Sequence, residues 1–220
     1  MAEPGRWTGG KTGSPLDRAL RWGTAVVLLA ALGFAAWVLA ETLSEPRSLS
    51  GPGLIQERRD LGGPFRLTDQ RGRTVTEADF AGGFTLLYFG YSFCPDLCPT
   101  ALQTMADARA RLGEPGRVRP LFVTLDPARD TPEHLAGYMA AFGEDFVGLS
   151  GPKPEIDRLT RRFGVSYRLR TEVDPLYYPV DHSSRIYLMD PDWRAVAVLD
   201  ESATLDQVVA ALERALAEGR

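Results

Sequence analysis

Residues 89–100, FGYSFCPDLCPT, contain both cysteines of this 220-residue chain, Cys94 and Cys98. They follow the apolar run FTLLYF (84–89) and precede a helical pattern over 100–112. A dithiol where a strand meets a helix N-terminus lies at the positive end of the peptide dipole, which favours thiolate over thiol. Because residues four apart in a helical turn share one face, both sulfurs can reach one ion. The stretch therefore predicts a soft-metal site or disulfide chemistry.

Short apolar runs alternate with helical patterns after the dithiol. The runs are PLFVTL (120–125), FVGL (146–149) and VSYRL (165–169), and the helical patterns cover 133–142 and 154–163. Strands that alternate with helices indicate an α/β sheet. Continuous apolar strands such as FTLLYF (84–89) and PLFVTL (120–125) are expected to be buried on both faces.

Hairpins are predicted at the two ends of this pattern. Phe65–Leu67 and Arg73–Val75 flank a turn-rich loop, and SRIYLM (184–189) and AVAVL (195–199) flank another. A final amphipathic helix follows, with Thr204 as its candidate cap. The predicted fold class is α/β: a thioredoxin-like mixed sheet flanked by helices, with an N-terminal hairpin.

The composition sets limits on partners. The formal net charge is −4, so the chain lacks the basic footprint that nucleic-acid binding requires, and we expect no nucleic-acid partner. With 44% hydrophobic residues over this length, one well-packed domain with an appendage is expected.

A segment without charge predicts a membrane anchor. Residues 22–40, WGTAVVLLAALGFAAWVLA, would span roughly 28 Å as a helix, close to the thickness of a bilayer core. Arg18 and Arg21 precede it, which predicts a cytoplasmic tail over 1–21 and an exported remainder. Residues 41–59 are expected to be a linker and 60–220 the folded domain. The alternative is a signal peptide cleaved after Val38-Leu39-Ala40.

The two histidines are the candidates for a third metal ligand, because two thiolates leave a soft metal undercoordinated. His134 follows a helix start at Asp130-Thr131-Pro132 and is expected to be exposed. His182 lies in a predicted loop before a strand, and in a thioredoxin-like layout this loop faces the dithiol helix. We favour His182 as the ligand, with an ordinary loop histidine as the alternative. Asp126 and Asp181 fit either a hydrogen-bonding role beside the ligands or a turn, and neither is predicted as a ligand.

Four motifs together resemble the Sco/SenC family of cytochrome c oxidase assembly proteins over roughly residues 60–218. They are FGYSFCPDLCPT (89–100), DPARDTP (126–132), GLSG (148–151) and VDHS (180–183). The resemblance implies a membrane-tethered thioredoxin-like domain that binds copper through Cys94, Cys98 and His182. It also implies copper delivery to the CuA centre of oxidase subunit II, with other copper chaperones as further partners. Some members of this family are described as thiol-disulfide reductants of the subunit.

The chemistry of the donors agrees with copper. Thiolates select Cu(I), and an imidazole lets the same site hold Cu(II). Zinc more often has four protein ligands in a closed structural site, and the sequence offers no fourth Cys or His for this set beyond His134. The sequence thus predicts a metallochaperone rather than an enzyme.

Two alternatives remain at this level. Cys94 and Cys98 fit a thiol-disulfide oxidoreductase, although the spacing is C-x-x-x-C and thioredoxins have C-x-x-C. They also fit a plain disulfide that closes a small loop. For localisation, the short tail with Glu3 and Asp17 favours a bacterial inner membrane with the domain on the periplasmic side, and the mitochondrial inner membrane is the alternative.

Overall fold

The computed structural model describes residues 22, 28–37, 54–55, 58–113 and 115–219. The chain divides into two units, Met1–Ser48 and Leu49–Arg220. Within the first unit, residues 28–37 are helical and exposed. No helix among the described residues reaches the length and hydropathy of a membrane span. Most of the proposed tail, anchor and linker (1–21, 22–40 and 41–59) lies outside the described residues.

The second unit is a mixed α/β domain. Its strands are β1 Leu54–Ile55, β2 Arg58–Gly62, β3 Arg66–Asp69, β4 Thr74–Thr76, β5 Phe84–Gly90, β6 Val118–Thr124, β7 Val147–Ser150, β8 Tyr167–Leu169, β9 Val180–His182, β10 Arg185–Met189 and β11 Arg194–Asp200. Its α-helices are α1 Leu97–Leu112, α2 Pro132–Ala140, α3 Lys153–Phe163 and α4 Leu205–Glu218.

The main sheet has the order β1-β11-β10-β5-β6-β7-β3-β4, and β2 also pairs with β11. Strands β5, β6 and β7 are parallel, while β10, β11, β3 and β4 pair antiparallel with their neighbours. Both predicted hairpins are present, as β3–β4 and β10–β11. All seven residues of β5 are buried, as the continuous apolar run predicted, because β5 lies in the middle of the sheet.

The helices begin and end where local sequence allows. The Thr131 and Thr204 hydroxyls accept the N–H groups of His134 and Gln207, so Thr131 caps α2 and the predicted cap of α4 is present. Helix α1 ends at Leu112 and is capped by Gly113, whose left-handed φ of 70° closes the helix without a Cβ clash. Helices α1 and α4 pack against each other.

Three elements differ from the sequence-based expectations. Helix α1 begins at Leu97, earlier than the predicted 100, so Pro99 is its third residue. A proline is tolerated there because the first N–H groups of a helix have no intrahelical acceptor. The VSYRL segment does not join the main sheet: β8 pairs only with β9, in a separate two-stranded ribbon. His182, predicted in a loop, is the last residue of β9.

Candidate metal centre

The junction of β5 and α1 fixes the positions of the two sulfurs. The N–H of Cys98 lies 3.4 Å from Cys94 Sγ, and the N–H of Cys94 donates to the Tyr91 carbonyl at 3.2 Å. Cys98 is fully buried, whereas Cys94 is half-buried, and both are free thiols. The turn that begins the helix therefore places one sulfur in the core and the other at the surface.

Gly90, the last residue of β5, makes room for the buried sulfur. A Cβ at this position would lie 2.8 Å from Cys98 Sγ, 2.8 Å from Tyr88 Cε1 and 3.1 Å from Phe122 Cε2. Contacts this short do not occur between real side chains, so only glycine lets Cys98 pack against the end of the strand. Nothing in the sequence around Gly90 indicates this role, because the contact depends on how the helix packs on the strand.

His182 comes to the dithiol from the β8–β9 ribbon. Its Nε2 lies 3.5 Å from Cys98 Sγ, and the ligand atoms of Cys94, Cys98 and His182 all lie within 4.8 Å of one another. The other ring nitrogen, Nδ1, is 3.2 Å from the carbonyl oxygen of Ser183. Because a carbonyl accepts only from N–H, this contact places the proton on Nδ1 and leaves the Nε2 lone pair free for a metal.

Hydrogen bonding and burial give the thiols of Cys94 and Cys98 different pKa values. The hydrogen bond from Cys98 lowers the pKa of Cys94 to about 3, with further lowering from the backbone N–H groups of Asp96 and Cys98, while burial opposes the shift. The pKa of Cys98 is raised, because it gives its hydrogen to Cys94 and because it is buried. The metal-free site therefore holds one thiolate and one thiol near neutral pH.

This difference predicts selective alkylation of the metal-free protein. Cys94 is expected to react first with iodoacetamide, at a rate that is nearly flat between about pH 5 and pH 8, because its thiolate is already formed above its depressed pKa. In Cys98→Ala the main hydrogen bond is lost, so the pKa of Cys94 rises and its alkylation slows as the pH falls through this range. Peptide mass spectrometry against pH measures both rates. A rate in the parent that rises about tenfold per pH unit would contradict the assignment.

The Arg129 guanidinium connects the segment next to Cys94 with the segment that leads to His182. The Arg129 guanidinium lies 3.7 Å from the Tyr178 ring centroid and 4.9 Å from that of Phe93, which neighbours Cys94. Arg129 is also paired with the buried carboxylate of Asp126, which accepts the Tyr178 hydroxyl at 2.9 Å. Asp126 is thus a buried anchor for the segment leading to His182.

The remaining sequence candidates lie apart from the three donors. His134 is exposed, as predicted; its ring stacks on Phe93 and its Nε2 lies 2.8 Å from Ser92 Oγ. Asp181 pairs with Arg170 at 2.9 Å and is exposed. Neighbouring residues of a strand point to opposite faces, so Asp181 points away from the side on which His182 meets the sulfurs.

An α/β domain with a dithiol after its central strand and a histidine brought to it from a separate ribbon is a thioredoxin-like protein with a Cys-Cys-His site suited to a soft metal. The family model SCO1/SenC matches residues 54–217, and the chain belongs to this family.

Relatives and a solved structure agree with this assignment. Protein sco1 of Schizosaccharomyces pombe is 39% identical over 161 residues, which span 70% of this chain and 60% of that protein. The mitochondrial SCO2 homologue of Bos taurus is 33% identical over 225 residues, spanning 100% of this chain and 85% of the relative. The crystal structure of Arabidopsis thaliana ScoI with copper bound superimposes with a TM-score of 0.68 at 34% identity, over 72% of this chain and 99% of that one. The thioredoxin-like fold predicted from the sequence is confirmed.

Proposed function

We propose that this chain binds copper through Cys94 Sγ, Cys98 Sγ and His182 and transfers it to another protein. The convergence of the three ligand atoms within 4.8 Å of one another carries this proposal. Support comes from the copper-bound state of the similar Arabidopsis protein. Two soft thiolates with one imidazole suit copper in either oxidation state.

The shape of the site suits transfer rather than storage. Cys94 and His182 are only partly buried, so the site opens to solvent on their side while Cys98 closes the other. Phe93 and Leu97, on either side of Cys94, are 47% and 48% exposed. Apolar side chains around an open metal position are typical of a surface that meets another protein. A ligand of that protein can enter through the open side and take the metal.

The acceptor that we propose is the CuA centre of cytochrome c oxidase subunit II, with other copper chaperones as donors. The choice of this acceptor and of these donors rests on the resemblance of the sequence motifs to those of the family. From the sequence we propose a tail (1–21), a membrane helix (22–40), a linker (41–59) and a copper-binding domain (60–220). Because β1 and β2 pair with β11, we extend the domain to Leu54 and shorten the linker accordingly. In this arrangement the domain faces the periplasm from a bacterial inner membrane, and the corresponding mitochondrial membrane is the alternative.

A second candidate function is reduction of disulfides in the oxidase subunit or in another exported protein. Both cysteines are free, and the more accessible one, Cys94, has the lowered pKa that a nucleophilic thiol needs. In this reaction Cys94 would attack a substrate disulfide and Cys98 would resolve the mixed disulfide. The two electrons would come from the dithiol, which ends as a Cys94–Cys98 disulfide.

Two assays separate the two functions: metal analysis of the reduced full chain tests copper binding, and a turnover assay of the metal-free chain tests disulfide reduction. Copper transfer predicts one copper per chain and a thiolate-to-Cu(II) absorption band, both lost in the Cys94→Ser, Cys98→Ser double variant. Disulfide reduction predicts turnover by the metal-free chain with a reductant and a disulfide substrate. A chain that binds no copper under reducing conditions would overturn the first function, and a metal-free chain without turnover would exclude the second.

A further inference from the structure

A tyrosine hydroxyl lies directly behind the buried sulfur. Tyr88 is on β5, two residues before Gly90, and its hydroxyl lies 3.9 Å from Cys98 Sγ and 2.7 Å from the Ser184 hydroxyl. Tyr88 and Cys98 are fully buried and Ser184 is nearly so. Ser184 follows His182 by two residues along the chain. The Tyr88 and Ser184 hydroxyls thus connect the Cys98 sulfur with the segment that carries His182.

The direction of these hydrogen bonds follows from the charge on the sulfur. When copper is bound both sulfurs are thiolates, and an anionic sulfur attracts a hydroxyl hydrogen more strongly than a neutral serine oxygen does. The Tyr88 hydrogen then points to Cys98, and Ser184 donates to the Tyr88 oxygen. An ordinary phenol has a pKa of about 10, so Tyr88 has a hydrogen to donate near neutral pH.

A hydrogen bond to a ligand sulfur changes the preference of a copper site between its oxidation states. The donor withdraws electron density from the sulfur, and Cu(II), the harder and more electron-poor ion, loses more by this than Cu(I) does. The effect is larger away from water, because a buried hydrogen bond is not weakened by solvent.

We propose that Tyr88, supported by Ser184, is a positioning residue whose hydrogen bond to Cys98 biases the bound copper toward Cu(I). This inference rests on the proposed function, because it concerns copper at the same site. Tyr88, which is not itself a ligand, would set the preference of the site between Cu(I) and Cu(II). Tyr88 contributes a hydrogen bond only, and neither an electron nor a proton leaves it.

The test compares Tyr88→Phe with the parent in the purified, copper-loaded full chain. Phenylalanine keeps the ring and removes the hydroxyl. We expect the ratio of Cu(II) to Cu(I) affinity to rise about tenfold, which for a one-electron couple lowers the midpoint potential by about 59 mV. The thiolate-to-Cu(II) band should move to longer wavelength, since the sulfur becomes a better donor. Ser184→Ala should move both quantities in the same direction by less.

Tyr187→Phe is the matched control. Tyr187 is fully buried on the neighbouring strand β10, and its hydroxyl donates to the Phe163 carbonyl at 3.0 Å. This variant also loses a buried hydroxyl, but it should leave the potential and the band unchanged. A copper-loaded Tyr88→Phe chain with the potential of the parent would overturn the inference and leave the proposed function standing. If the parent itself takes up no copper, the proposed function fails and this inference fails with it.

Discussion

His182→Ala is expected to lower the Cu(II) affinity of the chain by roughly 100-fold or more, judged against the 10–100-fold losses seen for groups that merely support a metal ligand. The imidazole is the donor that suits Cu(II), while the two remaining thiolates still suit Cu(I), so Cu(I) binding should fall much less. The ring is only partly buried at the end of a short ribbon, so the unfolding midpoint should change little. Competition titrations with chelators for each oxidation state measure the two affinities.

His134→Ala is the control for this experiment. It removes the other histidine, which is exposed and contacts Ser92 and Phe93; within the part of the chain that the structure describes, it makes no hydrogen bond to either sulfur. Cu(II) binding should stay at the level of the parent. If His182→Ala retains Cu(II) as firmly as the parent does, the ligand assignment is wrong, whatever happens to His134→Ala.

The second large effect is expected from Gly90→Ala. The added methyl would meet Cys98 Sγ and Tyr88 Cε1 at 2.8 Å, and because both are fully buried, neither can move without disturbing the packed core around it. Overpacking of this kind costs about 1–3 kcal/mol of unfolding free energy. Since the sulfur itself is displaced, copper affinity should fall as well. Urea unfolding of the metal-free chain and copper titration of the folded chain measure the two losses.

Gly83→Ala provides the comparison on the same part of the chain. Nothing lies within 4 Å of the position that its Cβ would occupy, and its φ is outside the left-handed region. Its stability should therefore stay within about 0.5 kcal/mol of the parent, and its copper affinity should not change. If Gly90→Ala and Gly83→Ala have equal stability and copper affinity, the core accommodates the added methyl at residue 90 and the prediction is wrong.

Much of the fold follows from local patterns. The apolar runs at 84–89 and 120–125 form most of the buried strands β5 and β6, because a strand covered on both faces is apolar at nearly every position. The Thr204 cap is equally local, since its bond reaches only three residues along the chain. The membrane anchor is also inferred from a local pattern, and it remains a prediction.

The ribbon that carries His182 could not be predicted from local sequence patterns. A three-residue strand such as β8 has too few residues for its alternation to indicate a partner. Its pairing with β9 instead of the main sheet depends on contacts made far along the chain. Gly90 and Tyr88 are similar cases, because a glycine or a buried tyrosine in a strand does not show in sequence which side chain it will meet.

The order of residues alone determined the chemistry available to this protein: two sulfurs four apart at a strand–helix junction, and only two imidazoles to join them. The tertiary structure decided which imidazole does so, how deeply each sulfur is buried and which hydroxyl stands behind Cys98. The physical reason is the separation along the chain between the residues that make contact. Spacing within one helical turn is set by backbone geometry, whereas a contact across 84 residues exists only once the sheet and the ribbon have packed.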